Sequence, residues 1–269
     1  MVYGFTYEEM GKIKHPARVK KPWGHYIAIT GRPEYALTRF FLKNGGAQPL
    51  HYYLKTGGTL FVEKGVALLK VINKKGEPRT FRLKSQDIFR LAPGLLHALC
   101  GLEDSYIYMF SNQTDSNDYC NVESEVEALK LKSDLHKLKI SKPDNEFQIE
   151  KPFDYRDKYW GSIQSMVSEA YAGKRIYLKA GAQNSLEFHC RKIETYFVHS
   201  GKVKVGLRLG RGENKSVIIG AGDAFEIPPG LMHMKIGIQD SVIIEISTHD
   251  EDSDSHIVED GKNYKHEER

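Results

Sequence analysis

Residues 181–201 read GAQNSLEFHCRKIETYFVHSG, and residues 46–65 read GAQPLHYYLKTGGTLFVEKG. Both open on the same triplet, pass through a short alternating stretch, and end on a Gly after an apolar run. A second pair follows in the same order, QDIFRLAPGLLH (86–97) and GDAFEIPPGLMH (222–233). Gly65 and Gly201, Asp87 and Asp223, Gly94 and Gly230, and His97 and His233 are each 136 positions apart. KPWG (21–24) and KYWG (158–161) stand 137 apart, and the two GAQ triplets 135 apart, slips of one residue that loops permit. Four blocks in one order, at offsets within one residue of 136, mean that the chain is two copies of one domain.

Each copy is a series of short apolar runs broken by Gly, Pro, Asn and Asp. In the second they are KRIYLKAG, SLEFHC, ETYFVHSGKVKVGLRLG, SVIIGAGDAFEIPPG and SVIIEIST. Strands at that spacing predict an antiparallel sandwich or barrel. Between the copies, residues 121–143 predict a helical linker: Val122, Val126, Leu129 and Leu135 recur at helical spacing, with Glu early, Lys late and Pro143 as the stop.

The bulk properties exclude more than they select. Of 269 residues 40% are apolar, enough for one large core or two small ones. A net charge of +4, from 39 basic and 35 acidic residues without a long basic block, argues against a nucleic-acid surface. No apolar run reaches the ~18 residues of a membrane span, and the N-terminus lacks an apolar h-region, so a cytoplasmic protein without a membrane partner is expected. Cys100, Cys120 and Cys190 are an odd number with no paired spacing, which disfavours a disulfide framework or a thiolate zinc site.

Chemistry concentrates in the second copy. Leu186, Phe188 and Cys190 alternate with Glu187, His189 and Arg191, the period of a strand, so Glu187 and His189 share a face. After a tight turn, Glu194 starts the next strand, and His233 arrives from a third. Two imidazoles and two carboxylates suit one divalent ion, and their spacing does not choose among Zn, Mn, Fe, Co and Ni. A set without sulfur argues against a closed structural zinc site. Glu187 is either a fourth ligand or an uncoordinated general base. In the first copy, His51, Tyr53, Gly58 and His97 stand at the positions of Glu187, His189, Glu194 and His233. That half reads as a scaffold without a catalytic metal, or as a metal-free ligand pocket lined by His51, Tyr53 and His97.

These motifs resemble the two-part signature of the cupin superfamily. Glu187-Phe-His189-Cys-Arg-Lys-Ile-Glu194 followed by Gly201 is similar to the first part, with Glu for the usual first His, and the run from Gly222-Asp223 to His233 to the second. SLEFHCRKIE, the two P-W-G-like entries and IEISTHDEDSDSHIVEDGKNY (244–264) resemble the type II phosphomannose isomerase branch; D-lyxose isomerase cupins are similar too. The resemblance covers about 20–110 and 155–264. It implies an all-β chain of two tandem jelly-roll barrels (double-stranded β-helices) joined by a short helical linker. The expected domains are an N-terminal cupin with a degenerate metal site (1–118), a linker (119–146), a C-terminal cupin with an intact site (147–250) and an acidic, polar tail (251–269). It also implies a metal-dependent isomerase or epimerase of a sugar or sugar phosphate. An Fe(II)-dependent dioxygenase and a non-catalytic carbohydrate-binding bicupin remain as alternatives with the same ligands.

Isomerisation needs a Lewis acid and an acid/base group. Lys235, two residues beyond His233 on the same face, is the candidate acid/base, with Glu187 competing. Tyr196, two beyond Glu194, is expected to hold a sugar hydroxyl. Arg191 is expected at the barrel mouth, facing a phosphate or carboxylate. Lys174 and Arg175 point to opposite faces, so at most one lines the pocket, and Lys174 is taken as that one. The outer row Leu186, Phe188 and Cys190 needs cover from another strand or subunit, which makes a homodimer an expectation.

Overall fold

The computed structural model describes residues 12–112, 118–124 and 139–268. These residues are β-strands and loops with a single 3-10 turn at Asp252–Asp254, and none of their helices is long and apolar enough to cross a membrane. The chain divides into two compact units, Ala17–Pro152 and Met1–Pro16 with Phe153–Arg269.

Each unit is a jelly roll whose consecutive strands cross between two antiparallel sheets. In the C-terminal unit the strand Glu194–Ser200 lies in a seven-stranded sheet between Ala224–Ile227 and Ser241–Thr248. The chain then turns at Gly201 and continues as Lys202–Leu209 in the facing five-stranded sheet, beside Leu231–Gly237, which in turn pairs with Leu186–His189. Alternation explains the packing: Val198, Val203, Val205, Phe225, Leu231 and Ile243 turn inward and are nearly solvent-free. The N-terminal unit repeats the scheme around Leu60, Val62, Leu69, Phe81, Phe89 and Ile107.

The 136-residue offset is written into the backbone. His51 opposes His97 across one strand pair, and Glu187 opposes His233 across the other. Gly58 faces Leu91 as Glu194 faces Ile227. The GAQ triplets, expected to match, are one residue out of step. Gly45 and Gly181 take the same left-handed conformation (φ 70° and 73°), and their N–H groups donate to Gly101 and Gly237. The offset therefore runs unbroken through that turn.

Two expectations about boundaries change. Tyr119–Asn121, placed in the linker, is a strand paired with His51–Tyr53; Phe147 packs in the N-terminal core, and Ile88 and Glu150 exchange backbone hydrogen bonds. Residues 125–138, most of the expected helix, lie outside the described residues, and 139–146 form no helix. The tail is no appendage. Ser255–Glu259 pairs with Leu186–His189, and His256 stacks on Phe188 at 5.0 Å, so of the two covers expected for the outer row, strand or subunit, a strand of the same chain supplies part. At the other end, Ile13 and Lys14 pair with Phe225 and Ala224.

The Trp-Gly entries are steric requirements. Gly24 and Gly161 have φ of 145° and 151°, and a Cβ on them would sit 2.0 Å from Phe41 O and 1.9 Å from Tyr177 O. Backbone cannot yield as a side-chain tip can. Gly161→Ala is predicted to destabilise the C-terminal unit by about 3 kcal/mol or more in chemical denaturation, combining a strained φ with overpacking. Gly181→Ala, whose Cβ meets nothing within 4 Å, is predicted to cost only about 1 kcal/mol.

Candidate metal centre

Strand period and register bring the predicted ligands together. Glu187 and His189 share the inner face of one strand, and His233 enters from the neighbouring strand directly opposite Glu187. One donor atom from each lies within 4.8 Å of the others. Glu194 comes from the facing sheet because the chain reverses at Cys190–Lys192. That reversal is held by Asp254, whose carboxylate accepts the backbone N–H groups of Cys190 (3.0 Å), Arg191 (3.2 Å) and Lys192 (3.0 Å). Glu194 then reaches both imidazoles, with Oε1 3.3 Å from His189 Nε2 and Oε2 3.1 Å from His233 Nε2.

The donor chemistry fits a cation. His189 Nδ1 lies 2.9 Å from the Asp254 carbonyl, and His233 Nδ1 3.0 Å from the Leu231 carbonyl. A carbonyl only accepts, so Nδ1 carries the proton in both rings and Nε2 is left as the electron-pair donor. His233 Nε2 is fully buried and has no hydrogen bond; Glu194 is near it but off the required angle. A buried orphaned nitrogen beside a carboxylate is what a coordination position looks like. Burial would lower the basicity of His189, yet Glu194 raises it above its ordinary value, the proton standing where a cation would sit.

The surrounding charges keep the acids ionised. Burial works against Glu187, but Lys235 and His233 hold its carboxyl below its usual range, and Ser255 Oγ donates to its Oε2 at 2.8 Å. Glu194 is held well below its usual value, because Lys192 and the His189 hydrogen bond outweigh its burial. Lys192, unremarked in the sequence, is the centre of this arrangement. Its buried ammonium lies 2.6 Å from Glu194, 3.1 Å from Glu245 and 2.6 Å from Asp250, and the three carboxylates keep it protonated despite burial. Strand alternation assigns no face to a turn residue, so the periodicity could not find it. Asp254 did leave a signal, since Asp118 stands 136 residues earlier and accepts the N–H groups of Lys55 and Thr56.

The other predicted residues divide. Lys235 is buried on the wall of a cavity of about 450 Å³ that Glu187, His189, Lys192 and Glu194 also line. Lys174 lines it too, 2.5 Å from Asp250, while Arg175 does not. Tyr196 does not reach the cavity: it is fully buried, donating to Glu194 at 2.9 Å and accepting from Lys235 Nζ at 2.8 Å, so it has no hydroxyl to spare for a sugar. Arg191 also departs from expectation. The Asp254-held turn swings it outward, where it is 67% exposed and paired with Glu251.

The first copy has the fold without the donor set. His51 and His97 pack with ring centroids 4.3 Å apart, with Tyr53 and Gly58 where His189 and Glu194 stand in the second. Burial lowers both imidazoles, His97 to about 3.

Two predictions follow from these charges. Lys192→Met leaves the buried Glu194 and Glu245 without their ammonium, and Asp250 with Lys174 alone, and is predicted to lower stability by about 3 kcal/mol or more in denaturant titrations with chelator present. The N-terminal unit is predicted to lose stability as pH falls from about 6.5 towards 3, because the unfolded His97 takes up a proton in that window and the folded one does not. His97→Met should flatten that part of the pH profile.

Comparison with known proteins agrees with the fold. Residues 168–264 match the cupin family. Mannose-1-phosphate guanylyltransferase 2 of Escherichia coli O157:H7 is 28% identical over 199 residues, 72% of this chain and 37% of that protein. Germin-like protein 3-7 of Oryza sativa subsp. japonica is 38% identical over 61 residues, 23% of this chain and 26% of that protein. The matches thus span well under half the length of these curated relatives. Among solved structures, oxalate decarboxylase from Bacillus subtilis at pH 4.6 superposes with a TM-score of 0.64 at 18% identity, covering 87% of this chain and 74% of that one. Another structure of that enzyme, concerned with its Mn(II) centers, gives 0.66 at 17% identity, covering 88% and 76%. The chain has the cupin jelly-roll fold in both halves, and residues 168–264 of its second barrel match the cupin family model.

Proposed function

We propose that the C-terminal barrel is a divalent-metal-dependent isomerase or epimerase of a sugar or sugar phosphate. The observation that carries this reading is the adjacency of the Glu187, His189, Glu194 and His233 donor set to a buried ammonium on the same cavity wall, that of Lys235. A bound divalent ion supplies a Lewis acid that polarises a substrate carbonyl and hydroxyl.

The chain's own groups supply the rest. Lys235 acts as acid/base toward the substrate oxygen or carbon placed against the wall. Tyr196 fixes it there, accepting a hydrogen bond from Nζ and presenting its ring face 4.4 Å from the same nitrogen. Glu187, anchored by Ser255 and lining the cavity, is a donor to the cation and the second group able to take a proton. Arg156, Lys158 and Lys174 line the same cavity and take the role expected of Arg191, receiving a phosphate. Lys158 makes no ion pair with a described residue, which leaves it for a ligand. The 28% identity to a mannose-1-phosphate guanylyltransferase, whose name contains a sugar phosphate, supports that substrate class.

The test is a panel of aldoses, ketoses and their phosphates incubated with the full chain in D2O and followed by NMR. Interconversion of one aldose–ketose or epimer pair is the expected result. Lys235→Met is predicted to lower kcat by about 10²–10⁴-fold, and Tyr196→Phe by less, since it acts through Lys235. No interconversion across the panel, with oxygen uptake on any member, would overturn the reading in favour of an oxidative cupin.

A further inference from the structure

The N-terminal barrel has a cavity of its own, about 260 Å³, with His51 on its wall where Glu187 faces the cavity of the second barrel. Its lining is aromatic rather than charged. Trp23, Tyr26, Phe40, His51, Tyr53 and Tyr119 form most of it, with Gln48, Asn121 and Lys21 adding polar groups. Tyr53 and Tyr119 meet edge to face at 5.5 Å, and His51 packs against both, at 5.7 and 4.9 Å. His97 sits behind His51.

The two imidazoles decide what this cavity asks for. His51 Nδ1 lies 2.8 Å from the Pro49 carbonyl, and His97 Nδ1 2.8 Å from that of Leu95, so both Nδ1 atoms hold protons and both Nε2 atoms are bare electron pairs. Neither Nε2 has a hydrogen-bond partner among the described residues. Burial keeps both rings neutral at neutral pH, so they offer acceptors and not charge. Two imidazoles and a phenol whose ionisation burial opposes make a poor cation site. One Lys and no Arg in the lining make a poor anion site. What remains is a neutral ligand with hydroxyl donors on its rim and an apolar face for the aromatic walls.

We propose that this cavity binds a neutral polyhydroxylated ring of monosaccharide size, one hydroxyl donating to His51 Nε2 and the ring's C–H face resting on Tyr53 and Tyr119. The second barrel would keep the metal chemistry and the first would be a carbohydrate-recognition site, whatever reaction the second performs. Binding is tested on the full chain by saturation-transfer NMR and calorimetric titration with methyl α-D-mannopyranoside, methyl β-D-glucopyranoside and myo-inositol; phenol and inorganic phosphate serve as comparison probes. None of the three polyols has a free carbonyl, so an isomerase cannot turn them over, and the readout stays separate from the activity assay. At least one of them should bind, and His51→Leu and Tyr119→Ala should each weaken it about tenfold or more. Tyr119 is 41% exposed, so its replacement leaves the fold intact. The proposal is overturned if no polyol binds, if the bound polyol is indifferent to both first-barrel variants, or if phenol or phosphate binds more tightly than every polyol.

Discussion

The acceptance of three consecutive backbone N–H groups by the Asp254 carboxylate is the constraint on which the site depends. A reversal between two sheets leaves its own N–H groups without ladder partners, and a buried donor left unpaired costs about 1–3 kcal/mol. Asp254 satisfies Cys190, Arg191 and Lys192 together, and through its own carbonyl it also fixes His189. The turn so held sends Arg191 outward and Lys192 inward, and it starts Glu194 opposite the two imidazoles. Asp118 does the same for Lys55 and Thr56. The turn is therefore a property of the fold, and the candidate metal donors are an addition to it in one barrel.

That addition concentrates charge where solvent cannot balance it. Glu187, Glu194 and Asp250 are held ionised against their burial by Lys192, Lys235 and Lys174, which face them at short range. Such clusters are weak contributors to stability, since desolvation offsets much of the attraction. Their arrangement is better explained by the site it builds: two carboxylates, one imidazole and an ammonium held by Tyr196 on the cavity wall, with the His233 nitrogen buried close behind them. The first barrel shows the alternative solution. With Gly58 and Tyr53 in place of Glu194 and His189, the same pocket closes in with aromatic rings and neutral imidazoles.

The fold and the donors were legible because both rest on periodicity. The repeat offset follows from strand lengths and turns that the two copies share, so Gly65 and Gly201, and His97 and His233, stand at one spacing. Alternation placed Glu187 and His189 on one face, and the cupin resemblance added Glu194 and His233. What periodicity cannot give is the path of a side chain across a turn or into a neighbour. Lys192 was hidden for that reason, and Arg191 was assigned to the wrong side of the same reversal. Tyr196, expected to hold a sugar hydroxyl, has its own hydroxyl taken up by Glu194 and Lys235 before it reaches the cavity. The tail read as polar because Ser255–Glu259 is an edge strand with one face in solvent, although it closes the sheet beside Leu186–His189.

The central claim is that the inward polar row of the second barrel is the cradle of one divalent cation. Its most direct test is the metal content of the full chain after dialysis against Zn, Mn, Fe, Co and Ni in turn, compared with Glu194→Ala, His233→Ala and His97→Ala variants whose circular dichroism matches the parent. The account predicts about one equivalent of at least one ion in the parent and in His97→Ala, lost in the two second-barrel variants. An ion retained in full by both Glu194→Ala and His233→Ala, or no retained ion at all, would contradict it.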